Sequence, residues 1–291
     1  MGSARIFIKK HAVAFYFIIT FAISWGSLFF GSGGPAGFPR SKEEFERLLP
    51  FFIPMVLAGP SLSCIMLTAL IDGRAGFRQL FSRLSKWRLG LGWYTIALII
   101  GPGVLMAVLL ALSLFNPVFV PGIMARSGKA PLLIMGIVAG LTVGMLEELG
   151  WTGFAIPRLR QRYGFFATGL IVGMLWGLWH VFLNVIWVKD AYTGEMPAAI
   201  FLTARGLGDV IGVLPAFRVL MVWVYDRTGS LLLAMLMHAA LTAATIIFEP
   251  SGISGGNLLV YDFVSGLTMW AAVAAVILGG RKIQAKKTQP K

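Results

Sequence analysis

Eight runs of about 20 mostly apolar residues recur along the chain, and they leave few folds open. They fall at roughly 12–31, 50–71, 92–115, 131–156, 165–188, 207–225, 230–248 and 258–279. About 20 such residues in a helix are enough to cross the hydrocarbon of a bilayer. The pattern predicts an all-α polytopic membrane protein, a bundle of about eight transmembrane helices around an internal polar cavity. Only 13% of residues are charged, against about 25% in soluble domains. No polar block is long enough to form a soluble domain, so residues 1–291 read as one integral membrane domain with its core at 131–248. The sixth run contains Asp209 and Arg218, and its Pro215 predicts a kink.

The basic residues supply the topology. Seventeen of the 25 Lys and Arg lie before the first run, after the even-numbered ones or after the last; seven lie on the opposite side, and Arg218 stands alone inside the sixth. Basic residues favour the cytoplasmic side, so both termini are expected in the cytoplasm. The net charge of +13 is then a topology and lipid-headgroup signal, and nucleic acid is not an expected partner. The segment 73–91 interleaves Arg and Lys with Phe77, Leu80, Phe81, Leu84 and Trp87. That spacing suits an amphipathic helix on the cytoplasmic surface. Ser41-Lys42-Glu43-Glu44 reads as a capped helix start, and the polar stretch from Lys189 to Arg205 reads as a loop.

Into this apolar background the sequence places two adjacent carboxylates, Glu147 and Glu148, and two of its three histidines, His180 and His238. An ionisable side chain at the centre of a membrane helix costs about 2.5–3.5 kcal/mol and is a candidate functional group by default. Glycines at 136, 140 and 144 precede the carboxylates, and glycines at 169, 173 and 177 precede His180. Small residues four apart let helix backbones approach closely. The two series predict that the fourth and fifth helices pack tightly against each other with their polar groups inward. Counting about 1.5 Å per residue from the cytoplasmic ends, Glu147, His180 and His238 can meet in that half of the membrane.

A Glu–His pair can take a proton from water. A second His, with the hydroxyl of Thr242 four residues on, can donate hydrogen bonds to a developing oxyanion. Together these are the equipment for amide hydrolysis. Two Glu and two His can also hold a divalent metal such as zinc, with Glu147, His180 and His238 as the ligand set, although the sequence lacks H-E-x-x-H. The metal-free water mechanism is the favoured expectation, with no cofactor required. A proton-coupled transporter is the competing use of intramembrane Glu and His.

Glu147-Glu148-Leu149-Gly150-Trp151-Thr152, Trp176-Gly177-Leu178-Trp179-His180 and His238-Ala239-Ala240-Leu241-Thr242 resemble, in order, the motifs of the CAAX protease and bacteriocin-processing (Abi) family of glutamate intramembrane proteases. The resemblance implies that Glu147 and His180 activate water, that His238 stabilises the oxyanion and that Glu148 supports the site. Two positions depart from the family pattern. Thr152 stands where the family's Glu-Glu-x-x-x-Arg motif has Arg, and Thr242 stands where Asn is usual. Without that Arg, Glu148 needs another partner or a proton. An inactive relative acting as a binding or scaffold protein is therefore a second reading. Trp176, Trp179 and Trp187 read as core or interfacial packing, with the alternative of an apolar cavity wall near Thr152 for a hydrophobic or lipidated peptide.

Overall fold

A computed structural model describes residues 3–34, 42–187 and 192–288; Ser41 and Lys189 lie outside the described residues, as does the side chain of Trp187. Among the described residues the regular structure is helical: α1 Ser3–Lys10, α2 Ala12–Gly31, α3 Lys42–Ile71, α4 Gly73–Leu84, α5 Leu91–Ser113, α6 Gly122–Ala125, α7 Lys129–Gly150, α8 Ile156–Leu159, α9 Phe165–Trp187, α10 Ala198–Ile211, α11 Val213–Thr228, α12 Leu231–Phe248 and α13 Gly255–Thr288. Among the described residues seven spans are long and apolar enough to cross a membrane, and Phe165–Val181 is a shorter apolar stretch of α9. The chain is an integral multi-pass membrane protein.

Several elements differ from expectation for local reasons. The sixth span is longer than 207–225, running over Ala198–Thr228. It breaks at Gly212 (φ −90°, ψ −120°) rather than kinking at Pro215. Pro215 lies in the first turn of α11, where its missing N–H has no helical acceptor to leave empty. The expected loop up to Arg205 is helical from Ala198 onward, with Phe201 buried. The surface helix α4 stops at Leu84, so Trp87 falls on the extended connection to α5, 58% exposed. The helix start expected near Lys42 and the second span form one helix, α3, which runs through Pro50, Pro54 and Pro60. Pro60 cannot donate to the carbonyl of Val56, and Ser24 Oγ of α2 donates to that carbonyl at 2.7 Å instead.

The glycine stripes do mark close helix approaches, but not the approach expected. Gly136, Gly140 and Gly144 of α7 face Ile247, Ala243, Ala239 and Met235 of α12. Gly169 and Gly173 of α9 face Val219 and Pro215 of α11, and Gly177 faces the backbone of Asp209 and Val210 in α10. Thus α7 and α9 each pack on a different partner rather than on each other. Small-residue spacing creates a flat face but does not say which helix fills it. The consequence is functional: α7 is laid beside α12, which carries His238, and α9 beside α11, which carries Arg218.

A Cβ at Gly144 would lie 2.6 Å from the Met235 carbonyl oxygen and 2.9 Å from the Ala239 nitrogen. Both obstacles are backbone. Gly144→Val is therefore expected to destabilise the fold by about 1–3 kcal/mol, the usual cost of overpacking. The midpoint of unfolding in mixed micelles measures it, and an unchanged midpoint would contradict the close α7–α12 contact.

Connections gather at two ends of the bundle. At one end Arg158 pairs with Asp72, and Arg160 holds Asp226 at 2.6 Å. At the other, Arg126 Nε donates to Ser251 Oγ at 3.1 Å, and Arg205 pairs with Asp262.

Candidate active site

The glutamates sit on the last turn of α7, immediately before a π-helical turn, Trp151–Ala155. Such turns recur at functional sites. Here the turn is fixed from outside. Arg83 of α4 donates from Nη2 to the Gly153 carbonyl at 3.0 Å and from Nη1 to Tyr225 Oη at 3.1 Å. Ser61 Oγ donates to the Leu146 carbonyl just before the glutamates.

Both carboxylates are buried, at 1% and 0% exposure, yet their surroundings differ. Glu147 Oε2 accepts two indole N–H groups, Trp151 Nε1 at 3.0 Å and Trp176 Nε1 at 2.7 Å. Both donors are neutral. Oε1 of Glu147 accepts neither.

Glu148 is held by four hydrogen bonds. Arg218 Nη1 donates to both oxygens at 2.7 Å. His238 Nδ1 lies 2.7 Å from Oε1, and the Thr152 hydroxyl donates to Oε2. Four bonds use the ordinary capacity of a carboxylate. Arg218 is fully buried like its partner, so each charge is compensated inside the bundle. Thr152 thus stands at the Glu148 carboxylate, while the positive charge arrives from α11.

Trp176 joins the parts. Its N–H reaches Glu147, its backbone carbonyl faces His180 Nδ1 at 2.9 Å, and the Arg218 guanidinium lies 4.2 Å from its ring centroid. Its ring also meets His238 edge-on at 4.9 Å and His180 at 5.4 Å. Trp179 packs edge-on against His180 at 4.8 Å and is fully buried, as is Trp176. Both tryptophans are core residues, not interfacial ones.

The partners fix the imidazole protons. A carbonyl only accepts, so the His180 Nδ1 in contact with it carries hydrogen, and neutral His180 presents the lone pair of Nε2. His238 Nδ1 facing the Glu148 carboxylate carries hydrogen in the same way. Thr242 follows one turn after His238 on α12, half-buried, its carbonyl accepting from Thr245 Oγ1 at 2.8 Å.

The structure therefore brings Glu148, Thr152 and His238 into one bonded group, and links Glu147 and His180 through Trp176. Sequence reasoning missed two members. Trp151, one turn after Glu147, is its second indole donor. Arg218 carried a signal that was available, an ionisable residue inside an apolar run. Among the described residues no group of three or more His, Cys, Asp and Glu is placed to hold a metal ion. Of the residues in the metal alternative, His238 is bonded to Glu148, and Glu147 accepts both indoles.

Residues 129–244, which contain all of these side chains except those of the flanking helices, match the family described as type II CAAX prenyl endopeptidase, Rce1-like. Over 238 residues the chain is 24% identical to CAAX prenyl protease 2 of Methanococcus maripaludis, covering 79% of this chain and 82% of that protein.

Proposed function

Residues 129–244 belong to the Rce1-like family of type II CAAX prenyl endopeptidases, and from that premise we propose that this chain is an intramembrane endopeptidase that hydrolyses a peptide bond with a Glu147/His180-activated water. The observation that carries the reading is the unequal treatment of two adjacent carboxylates. Glu148 is saturated by Arg218, His238 and Thr152. It has no lone pair left for water, and its part is to hold His238. Glu147 is oriented by two indoles on one oxygen and keeps Oε1 for a proton.

In the proposed step, water oxygen bonds to the scissile carbonyl carbon while its proton passes to Glu147, with His180 Nε2 orienting the water as a second acceptor. The carbonyl oxygen becomes an oxyanion, which His238, as imidazolium with Nε2–H, and the Thr242 hydroxyl stabilise. Collapse breaks the C–N bond, and the proton held by Glu147 goes to the departing amine. The products are a new carboxylate and a new amine, with no net change at the protein. The substrate class is a hydrophobic or lipidated peptide at the membrane, in line with the prenyl protease named among the relatives.

The test is cleavage by purified protein in nanodiscs of a fluorogenic peptide pool, prenylated and unprenylated, with and without a chelator. Cleavage that survives the chelator supports the metal-free mechanism. Cleavage abolished by it would put a metal into the site and overturn that mechanism.

The distribution of Lys and Arg supports a topology with both termini on the cytoplasmic side. Cys64 is the chain's single cysteine and is buried, so introduced thiols can be read against a silent background. A membrane-impermeant maleimide added to intact cells is expected to label Ser251→Cys, between α12 and α13, and to leave Ser3→Cys unlabelled until the membrane is opened. The reverse pattern would invert the topology.

A further inference from the structure

Arg218 has no role in the three motifs, yet among the described residues it is the one Arg or Lys bonded to either glutamate. It sits on α11, 70 residues from Glu148 in sequence. Three contacts place its side chain and the helix that carries it. Nη1 bridges both carboxylate oxygens. The plane lies over the Trp176 ring, a favourable cation–π placement. The Cα of Pro215, one turn earlier on the same helix, is pressed against Gly173 of α9. The position one helical turn after Glu148 holds Thr152, whose hydroxyl reaches the same carboxylate without charge.

We propose that Arg218 is the positioning residue of this site: it fixes the charge and orientation of Glu148, which in turn fixes His238, and it does from α11 what a cation at position 152 would do from α7. The chain of contact is Arg218 Nη1, Glu148 Oε1 and His238 Nδ1, each step 2.7 Å. Arg218 acts through Glu148 and His238 rather than on the substrate. The break at Gly212 belongs to the same device, since it separates α11 from α10 and sets the start of the helix that carries Arg218.

A cation that can be supplied from either helix should be movable, and this sets the experiment. The chain has three histidines, so the ring-nitrogen NMR spectrum of histidine-labelled protein is simple, and His238→Gln assigns its signal. Arg218→Ala is expected to shift the His238 ring-nitrogen resonances while leaving those of His11 unmoved. Thr152→Arg added to Arg218→Ala is expected to return His238 to its wild-type position. An unshifted His238 in folded Arg218→Ala would overturn the proposal. If Arg218→Ala does not fold, the double variant decides alone: a folded protein with wild-type His238 signals supports it, and a folded protein with displaced signals overturns it.

Activity supplies a separate arm that rests on the protease reading. Where wild type cleaves peptide, Arg218→Ala should lose at least tenfold in kcat with KM little changed, and the double variant should regain most of it. A chain without peptidase activity would remove that reading and leave the His238 measurement to judge Arg218.

Discussion

Glu147→Gln is expected to lower the rate of peptide cleavage by about 10²–10⁴-fold, the span over which positioned acid–base groups contribute, while leaving the fold intact. The substitution is conservative in the respect that matters structurally. Glu147 Oε2 accepts from Trp151 and Trp176, and an amide oxygen can accept both indoles equally well. What the amide cannot do is take a proton from water and release it to the amine. Initial rates on one fluorogenic peptide, with circular dichroism and unfolding midpoint as fold controls, measure the effect. A loss of less than about tenfold in folded protein would remove Glu147 from the proton path.

Glu148→Leu is expected to act on the fold first. It leaves the Arg218 guanidinium fully buried with its partner gone. Removing one member of a buried ion pair costs about 3–5 kcal/mol, because the remaining charge has nothing to compensate it. The hydrogen bonds from Thr152 and His238 are lost in the same step. Glu148→Leu combined with Arg218→Met removes both charges and is expected to recover most of the stability, since an apolar pair of similar volume is often neutral or better. Equilibrium unfolding in mixed micelles gives both values. A loss below about 1 kcal/mol for the single variant, the range of exposed pairs, would contradict a buried compensated pair. The contrast between the two glutamates is diagnostic: one variant loses chemistry and keeps its fold, and the other loses its fold.

Much of the architecture is legible in the sequence because a bilayer admits so few solutions. Runs of about 20 apolar residues locate the spans, and the basic connections gather them into two ends, as the Arg158–Asp72 and Arg160–Asp226 pairs do at one of them. Partner choice is less legible. The stripe at Gly136, Gly140 and Gly144 announces a close approach, but its partner is settled by α12, which offers Ala239 and Ala243. Local breaks follow the same rule. Pro215 looks like a kink until Gly212 places it in a first turn.

The glutamates and histidines of the site stand out because ionisable groups in apolar runs stand out. Their grouping is harder to read, because Glu148 meets Arg218 and His238 across 70 and 90 residues of chain. Thr152 illustrates the difficulty. Read along α7 it is a missing cation; in three dimensions the cation is supplied by α11.

The most direct measurement is cleavage of one hydrophobic or prenylated peptide by purified protein in nanodiscs made up in ¹⁸O-water, read by mass spectrometry. Wild type should give two fragments, with one ¹⁸O in the new carboxylate, and Glu147→Gln should form them about 10²–10⁴-fold more slowly. Intact peptide with folded wild-type protein across the pool, or unlabelled product, would contradict hydrolysis by a Glu147-activated water.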